Sequence, residues 1–424
     1  MNKKWIFTAI LAIIILSNSF NFSFATELGD LNSDNSVNSI DFGLYRKYLL
    51  GMCTLDDQSV ADLNGDGSAN SIDFGVFRKF LLGMITAFPA ASATTPKPTP
   101  TPQSGDEDKI LIPHKSWTCG MADGIPKPES GVLAFEINMK IEQIYNMGKT
   151  QYGQRQVFVI QGGTITGSKI SGSVMSGGLD LQLDLSNGAM EIEQILVFKT
   201  NDGNYVYFRS GGTAANQNDV RIVPNIEAPN NGSYSWINSG KFACRRVVDT
   251  AAKTMKISVY DISGVTVRAD STNSIVVTKP TDVQYQSWDF RKASGERKGT
   301  LFITEDVALG GSQTVGATKN NTNRNIIPIT GGTVTGSLNG KIIAAGADYQ
   351  NTSNPMTIDA KYLWQTNDGE IIIVRNAGQF GSLVPTFEVR ADSKYSYLNS
   401  KLYLSSDPGM GGSGVRISFY ESTK

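Results

Sequence analysis

The sequence predicts a mainly β protein, built as two tandem small barrel-like copies behind a small helical module and a proline-rich tether. Three observations lead there. The segment GGTITGS at 162–168 recurs as GGTVTGS at 331–337, with further echoes in unbroken order around it. Between those echoes lie short runs rich in β-branched and aromatic residues, broken by NDG, GG and NG turn signals. Nearer the N-terminus, residues 30–52 and 62–84 repeat each other at an offset of 32, each with a helix-like apolar pattern.

Composition narrows the chemistry. The 424 residues are 40% hydrophobic and 18% charged, with a net charge of −1. That length is too great for one ordinary domain, and that apolar fraction excludes wholesale disorder. Without a basic run the chain is not expected to bind nucleic acid, since phosphate contacts need clustered Lys and Arg. A single histidine, His114, excludes a three-histidine zinc site and leaves one residue for any Ser-His-Asp triad. Carboxylates remain as the chemical groups.

Residues 1–25 read as a secretory signal peptide. Lys3 and Lys4 precede an apolar run from Trp5 to Leu16, and Ser23-Phe24-Ala25 supplies small residues for cleavage. The apolar run is short for a bilayer span. The expectation is a mature, extracellular chain from near Thr26, with no membrane attachment after cleavage. Of three cysteines, Cys119 and Cys244 are open to pairing and Cys53 stands apart; sequence alone leaves that pairing undecided.

Each N-terminal repeat opens with a twelve-residue loop of the EF-hand-like kind. In the first, oxygen-bearing residues occupy positions 1, 3, 5, 7, 9 and 12 as Asp30, Asn32, Asp34, Ser36, Asn38 and Asp41. In the second they are Asp62, Asn64, Asp66, Ser68, Asn70 and Asp73, the two serines offering backbone carbonyls. A hard cation takes six to eight oxygens, and short side chains at alternate positions let one loop wrap it. Two calcium ions are therefore expected. The turn position is Gly67 in the second loop and Asn35 in the first, and position 12 is Asp where an ordinary EF-hand has Glu. Phe42, Leu44, Tyr45, Tyr48 and Leu49 form the helix pattern after the first loop; Phe74, Val76, Phe77, Phe80 and Leu81 form that after the second. Gly51 and Gly83 mark the ends. Residues 26–88 hold nine acidic side chains against Arg46, Lys47, Arg78 and Lys79, so cations are expected to be needed for folding.

Residues 26–88, with both repeats complete, resemble a type I dockerin, the module that plugs cellulosomal proteins into the cohesins of a scaffoldin. The resemblance implies calcium binding, a cohesin partner and an extracellular, cellulosome-associated protein. In that family loop positions 10 and 11 contribute to cohesin choice. Here they are Ser39-Ile40 and Ser71-Ile72, where the family often shows Ser-Thr. With Arg46, Lys47, Arg78 and Lys79 they make the expected cohesin face. The near-identity of the halves resembles the family's capacity to bind in two orientations.

Residues 89–108, with proline alternating with Thr or Lys, form a semi-rigid spacer that packs no core. The payload follows as two copies, 109–270 and 281–424, each long enough for its own core. TNDG at 200–203 recurs at 366–369, YSWIN at 234–238 as YSYLN at 395–399, and Ser116-Trp117 as Ser287-Trp288. No long amphipathic helix interrupts them, which points to a barrel or sandwich. In the second copy RNIIPITGGTVTG at 324–336, AGADYQ at 345–350 and IDAKYLWQTNDGEIIIVRNAG at 358–378 resemble the bacterial domain-of-unknown-function family numbered 3237. That resemblance implies a small β-barrel and no settled activity.

Polar groups kept in both copies are Arg155/Arg324, Asp180/Asp348, Gln182/Gln350, Glu193/Asp359, Arg209/Arg375 and Glu227/Glu388. One explanation is buried Arg–carboxylate pairing that holds a barrel together. The other is a sugar-binding or catalytic pocket with paired carboxylates, as a hydrolase or lyase needs. The second copy is favoured, giving Asp348, Asp359, Lys361, Arg324 and Glu388 as catalytic candidates. Trp117, Trp236, Trp288, Trp364 and Tyr397 are candidate stacking platforms or core. The function expected is a secreted cellulosome subunit contributing to plant cell-wall polysaccharide degradation by carboxylate chemistry. A non-catalytic carbohydrate-binding or structural accessory is the alternative, and a duplicated binder would gain avidity.

Overall fold

The computed structural model describes residues 28–32, 34, 36–55, 58–65, 68–85, 87–90, 108–286, 297–412 and 414–423. The signal segment, Asn35, Asp66, Gly67, most of the tether, and Ser287 with Trp288 lie outside the described residues. Residues 1–102 and 103–424 form two compact units.

In the first unit, α1 (Ser39–Leu49) and α2 (Ser71–Leu81) follow the two loops. Asn38 and Asn70 cap them, and Asp41 and Asp73 bond back to the cap amides, two orphan donors satisfied at each start. Gly51 and Gly83 adopt φ of 70° and 66°, letting Gly51 N–H reach Tyr48 O and Met52 N–H reach Lys47 O at 2.9 Å each. The apolar stripes meet in an aromatic core. Phe42 and Phe74 stack with centroids 4.1 Å apart, Tyr45 and Phe77 are fully buried, and Tyr45 Oη donates to Ala61 O at 2.7 Å. Phe88 closes this core against Phe77.

The second unit opens with β1 (Ile110–Ile112). The first barrel contains β2 (Val132–Thr150), β3 (Gly153–Gly167), β4 (Ser171–Val174), β5 (Gly178–Asp184), β6 (Met190–Thr200), β7 (Tyr205–Ala214), β8 (Arg221–Glu227), β9 (Phe242–Asp249) and β10 (Thr254–Asp261), with the single helical turn α3 (Trp236–Ser239) before β9. It is an antiparallel meander closed by β10 on β2. The crossing segment supplies β11 (Ser274–Val276), parallel to β1. The second barrel contains β12 (Lys298–Leu309), β13 (Gln313–Ala317), β14 (Asn323–Gly336), β15 (Gly340–Asn351), β16 (Thr357–Thr366), β17 (Ile371–Gln379), β18 (Val384–Glu388), β19 (Tyr403–Ser405), β20 (Gly409–Met410) and β21 (Gly414–Ser422). Its ladder runs from β18 round to β19, and the last gap is bridged by Ser405 N–H to Leu383 O at 3.1 Å. It is nearly closed. No helix among the described residues is long and apolar enough to cross a membrane.

The duplicated sequence signals have duplicated structural causes. The paired glycines bend the long strands β3 and β14, where a Cβ on Gly163 or Gly332 would stand 2.1 or 2.2 Å from the carbonyl of Asn138 or Asp306. The register shifts beside them, between Lys140 and Ile141 and between Ala308 and Leu309, curl each sheet into a barrel.

The barrels do not stand apart. Met147, Val157, Val159, Leu179 and Leu181 of the first pack on Ala345, Leu363, Ile371 and Ile373 of the second. A neighbouring cluster joins Ile195, Val197 and Tyr207 to Val315, Ile326, Ala347 and Tyr349. Strands at this seam are buried on both faces, which is why β6 carries a continuous apolar run over 195–198 and β17 one over 371–374. Around the seam, equivalent residues exchange partners. Arg155 reaches Glu388 across it (2.9 and 3.0 Å), and its counterpart Arg324 reaches Glu227, the counterpart of Glu388 (2.8 and 2.8 Å). The two copies are thus related as an isologous, pseudo-twofold pair within one chain. The expected Arg–carboxylate pairing exists, and it joins the two barrels.

Replacing Arg155 with Met leaves Glu388 buried without its cation. The expected loss is about 3–5 kcal/mol of payload stability, read as a lowered denaturant midpoint. Arg324→Met should act in the same direction and less strongly, because its side chain is 14% exposed against 3% for Arg155.

Candidate functional site

Four of the five catalytic candidates lie at the inter-barrel seam. Asp359 on β16 is gripped by Arg375 of its own barrel (2.7 and 2.7 Å) and by Arg209 of the other (2.5 Å). Arg209 also donates to Glu193 at 2.7 Å, and Glu193 accepts from Lys361. Burial pushes the Glu193 carboxyl up, but Lys361, Arg209 and Arg375 outweigh it and bring it down to about 2. Burial likewise opposes ionisation of Asp359, and its two arginines hold it well below the carboxylate range. Burial pulls the Lys361 ammonium down to about 8 against the opposing pull of Glu193. Glu388 and Arg324 are committed to the pairs already described. Each carboxylate here is neutralised by a positioned cation, the arrangement of a clamp.

Asp348 is placed differently. It points into the second barrel, opposite Ala360 and in line with Asn376 across β15, β16 and β17. Its Oδ2 accepts from Gln350 Nε2 at 2.7 Å, while Oδ1 is buried without a hydrogen-bond partner. Burial pushes its pKa up to about 6, only partly offset by the Gln350 bond. Gln350 Oε1 accepts from Asn325 Nδ2 at 2.9 Å, and Asn325 Oδ1 accepts from Thr314 Oγ1 at 2.9 Å and from Ser312 Oγ at 2.5 Å. Ser312 and Thr314 are exposed, so a polar chain runs from the surface to the buried carboxyl. Asn376 Oδ1 in the same layer is also without a partner.

The equivalent position of the first barrel is sealed. Asp180 receives Arg246 at 2.9 and 2.6 Å and Gln194 at 2.8 Å. Ala360 stands where the first copy has Gln194.

Sequence reasoning missed Glu305. It is fully buried inside the second barrel, accepting from Tyr362 Oη and from Trp364 Nε1 (2.8 Å). Burial raises its pKa to about 7 against those two bonds. The available signal was parity, since Ile303, Glu305 and Val307 alternate onto the face that joins the core. Trp364 is thereby core, as is Trp117, whose Nε1 donates to Gly212 O at 2.8 Å. Trp236 and Tyr397 are half-buried. All three cysteines are free thiols: Cys244 faces the interior of the first barrel while Cys119 packs outside its wall against Gly211.

In the helical unit the loop donors turn toward backbone amides. Asp41 Oδ1 accepts from Leu31 N–H (2.9 Å) and Asn32 N–H (3.2 Å), and Asp73 does the same for Leu63 and Asn64 (3.0 Å each). Asp30 accepts from Asp34 N–H at 3.1 Å. Among the described residues no three His, Cys, Asp or Glu side chains gather at one point. The donor set is nevertheless all oxygen, with Asp30, Asp41 and Asp73 buried at the loop centres, chemistry that fits a hard cation. Of the expected cohesin contacts, Ile40 and Ile72 are 60% and 61% exposed, and Ser39, Arg46, Lys47, Ser71, Arg78 and Lys79 ride on the same two helices.

Comparison with known proteins gives two family matches. A model described as "Protein of unknown function (DUF3237)" matches residues 130–265 and 298–381, and a type I dockerin domain model matches residues 28–82. A UPF0311 protein of Bradyrhizobium diazoefficiens is 43% identical over 79 residues, 18% of this chain and 48% of the relative. One from Rhodopseudomonas palustris is 35% identical over 78 residues, 18% and 51% of the two chains. The chain spans about half the length of these relatives. Among solved structures, a conserved protein of unknown function from Rhodopseudomonas palustris aligns with 25% identity and a TM-score of 0.28, covering 31% of this chain and 95% of that one. A protein of unknown function from Clostridium acetobutylicum aligns with 23% identity and a TM-score of 0.28, covering 31% and 97%.

The raised pKa of Glu305 has a signed consequence. The folded state keeps this proton up to about pH 7, whereas an unfolded glutamate releases it near pH 4.3. The stability it contributes is therefore complete below that lower value and is lost as pH rises through about 7. Glu305→Gln, which imitates the neutral form, should flatten the fall of the denaturant midpoint between pH 4.5 and 7.5.

Proposed function

The chain belongs to the DUF3237 family and carries a type I dockerin, the module of cellulosome docking, and on that premise we propose a secreted cellulosome subunit whose payload acts on plant cell-wall polysaccharide by carboxylate chemistry. Type I dockerins bind calcium and imply a cohesin partner. Residues 1–25 would direct export and 26–88 would hold two calcium ions. Residues 89–108 are the tether, and 109–270 and 281–424 the two copies. Asp30, Asn32, Asp34, Ser36, Asn38 and Asp41 would hold one ion, and Asp62, Asn64, Asp66, Ser68, Asn70 and Asp73 the other. Bound calcium would offset the acidic excess of the loops. The exposed Ile40 and Ile72, repeated on equivalent helix starts, support a cohesin face usable in either orientation.

One observation carries the payload reading. Asp348 keeps an unpartnered, buried carboxyl oxygen at the foot of a polar chain from the surface, whereas its counterpart Asp180 is closed off by Arg246. A carboxyl with a pKa of about 6 is poised to donate or accept a proton near neutral pH. The chemistry is assigned to the second copy, with Asp348 as acid–base group. Asp359, Lys361, Arg324 and Glu388 hold the wall behind it against the first barrel.

Two experiments test this. Chelation of calcium should melt the helical signal of the dockerin and abolish cohesin binding, while the β signal of the payload persists; retained cohesin binding would overturn the calcium assignment. The full chain should release reducing ends or unsaturated uronate from a cell-wall polysaccharide, with a pH profile bending near 6 that Asp348→Asn removes along with at least a hundredfold in rate. A folded protein releasing no product from cellulose, xylan or pectin would overturn the chemistry and leave the non-catalytic accessory, the reading favoured by the ion-paired state of the seam candidates.

A further inference from the structure

Two motifs kept in both copies, the NDG turn and the Tyr-Ser-aromatic segment, have no part in the carboxylate chemistry. The fold brings them together. In the second barrel Asn367 and Asp368 form the turn between β16 and β17, and Tyr395 and Tyr397 lie on the segment between β18 and β19. Tyr395 Oη donates to Asp368 Oδ1 at 2.8 Å, and Lys394 Nζ lies 2.8 Å from Asp368 Oδ2. With Asn339 they line an open cavity of about 540 Å³, within the roughly 300–1,000 Å³ of small-ligand sites. It lies at the other end of β16 from Ala360, the neighbour of Asp348.

The chemistry of this groove is specific. Its carboxylate and ammonium are paired with each other, so it presents no uncompensated charge. Tyr397 is half-buried and offers a ring held from below by the core, whereas the Tyr395 ring carries Lys394 Nζ at 5.0 Å from its centroid and serves to hold Asp368. Asn339 and Asn367 are exposed, and their side-chain amides bond to no described residue of the protein. An amphipathic ring, that of Tyr397, beside free amides suits a ligand with apolar ring faces and many hydroxyls. We propose that this groove of the second barrel binds a neutral pyranose chain.

The first barrel differs at the equivalent place. There Tyr234 Oη donates to Asp202 Oδ1 at 2.9 Å in the same arrangement. The ring that replaces Tyr397, Trp236, is covered by Lys169, whose Nζ stands 5.4 Å from its centroid. The lysine occupies the face a sugar would take.

Native electrophoresis of the full chain in gels containing hydroxyethyl cellulose or arabinose-free xylan, with polygalacturonate as the charged control, tests the assignment without any need for product. The neutral polymer should retard the protein and polygalacturonate should not. Tyr397→Ala should weaken retardation at least tenfold. Because that ring touches the core, the exposed pair Asn339→Ala/Asn367→Ala is the second variant, expected to weaken it at least threefold with the melting temperature unchanged. Trp236→Phe in the first barrel should leave retardation as it was. Absence of retardation by both neutral polymers, equal retardation by polygalacturonate, unchanged retardation in the asparagine pair, or a loss in Trp236→Phe matching that in Tyr397→Ala would each overturn the proposal. Asp348→Asn enters none of these arms, so binding here and chemistry there fail separately.

Discussion

The payload depends on one constraint, the burial of both faces of the strands where the two barrels meet. A barrel wall facing water would carry polar side chains at every second position. Here β6 and β17 are apolar on one face for their own interior and on the other for the neighbouring barrel. Burying that second face forces every ionisable group within it to find a partner. The pseudo-twofold supplies one, since an arginine that meets a glutamate across the seam in one direction finds the same pair on the return path. Duplication and ion pairing are thus one feature at Glu227 and Glu388, each of which takes its arginine from the other copy.

That seam leaves chemistry to the barrel interiors, where the copies have parted. The first fills its interior layer with Asp180, Gln194 and Arg246, a closed set of bonds that neutralises the carboxyl. The second has Ala360 at the Gln194 position and lets β19 end at Ser405, so no arginine arrives and Asp348 stays uncompensated. One layer along, Glu305 is held by Tyr362 and Trp364 where the first copy is apolar, with Leu196 and Phe198 in place of the two donors. A low-dielectric interior holds both acids toward their neutral forms. Two raised carboxyls in one barrel and one neutralised carboxyl in the other make the pair asymmetric in electrostatics despite its symmetric frame.

The sequence by itself determined the order of modules and much of their local form. The 32-residue repeat with Asn38 and Asn70 as caps and Gly51 and Gly83 as ends is local chemistry, set by residues a few positions apart, and it was legible. So were the β character of both copies and their turns, because NDG and paired glycines impose backbone conformations whatever surrounds them. Of the candidate site, the six duplicated polar pairs, Asp348 among them, were legible as positions. Their roles were not. Whether Asp359 or Glu388 is a reactive acid or half of a clamp depends on an arginine 150 or more residues away, and no local pattern encodes that approach. Glu305 was missed because its counterpart in the first copy is apolar, so it stood outside the duplicated polar set, although the inward alternation of Ile303, Glu305 and Val307 marked it. Only the tertiary structure, by closing each sheet and pressing one barrel on the other, decided which charges are paired and which are left to do work.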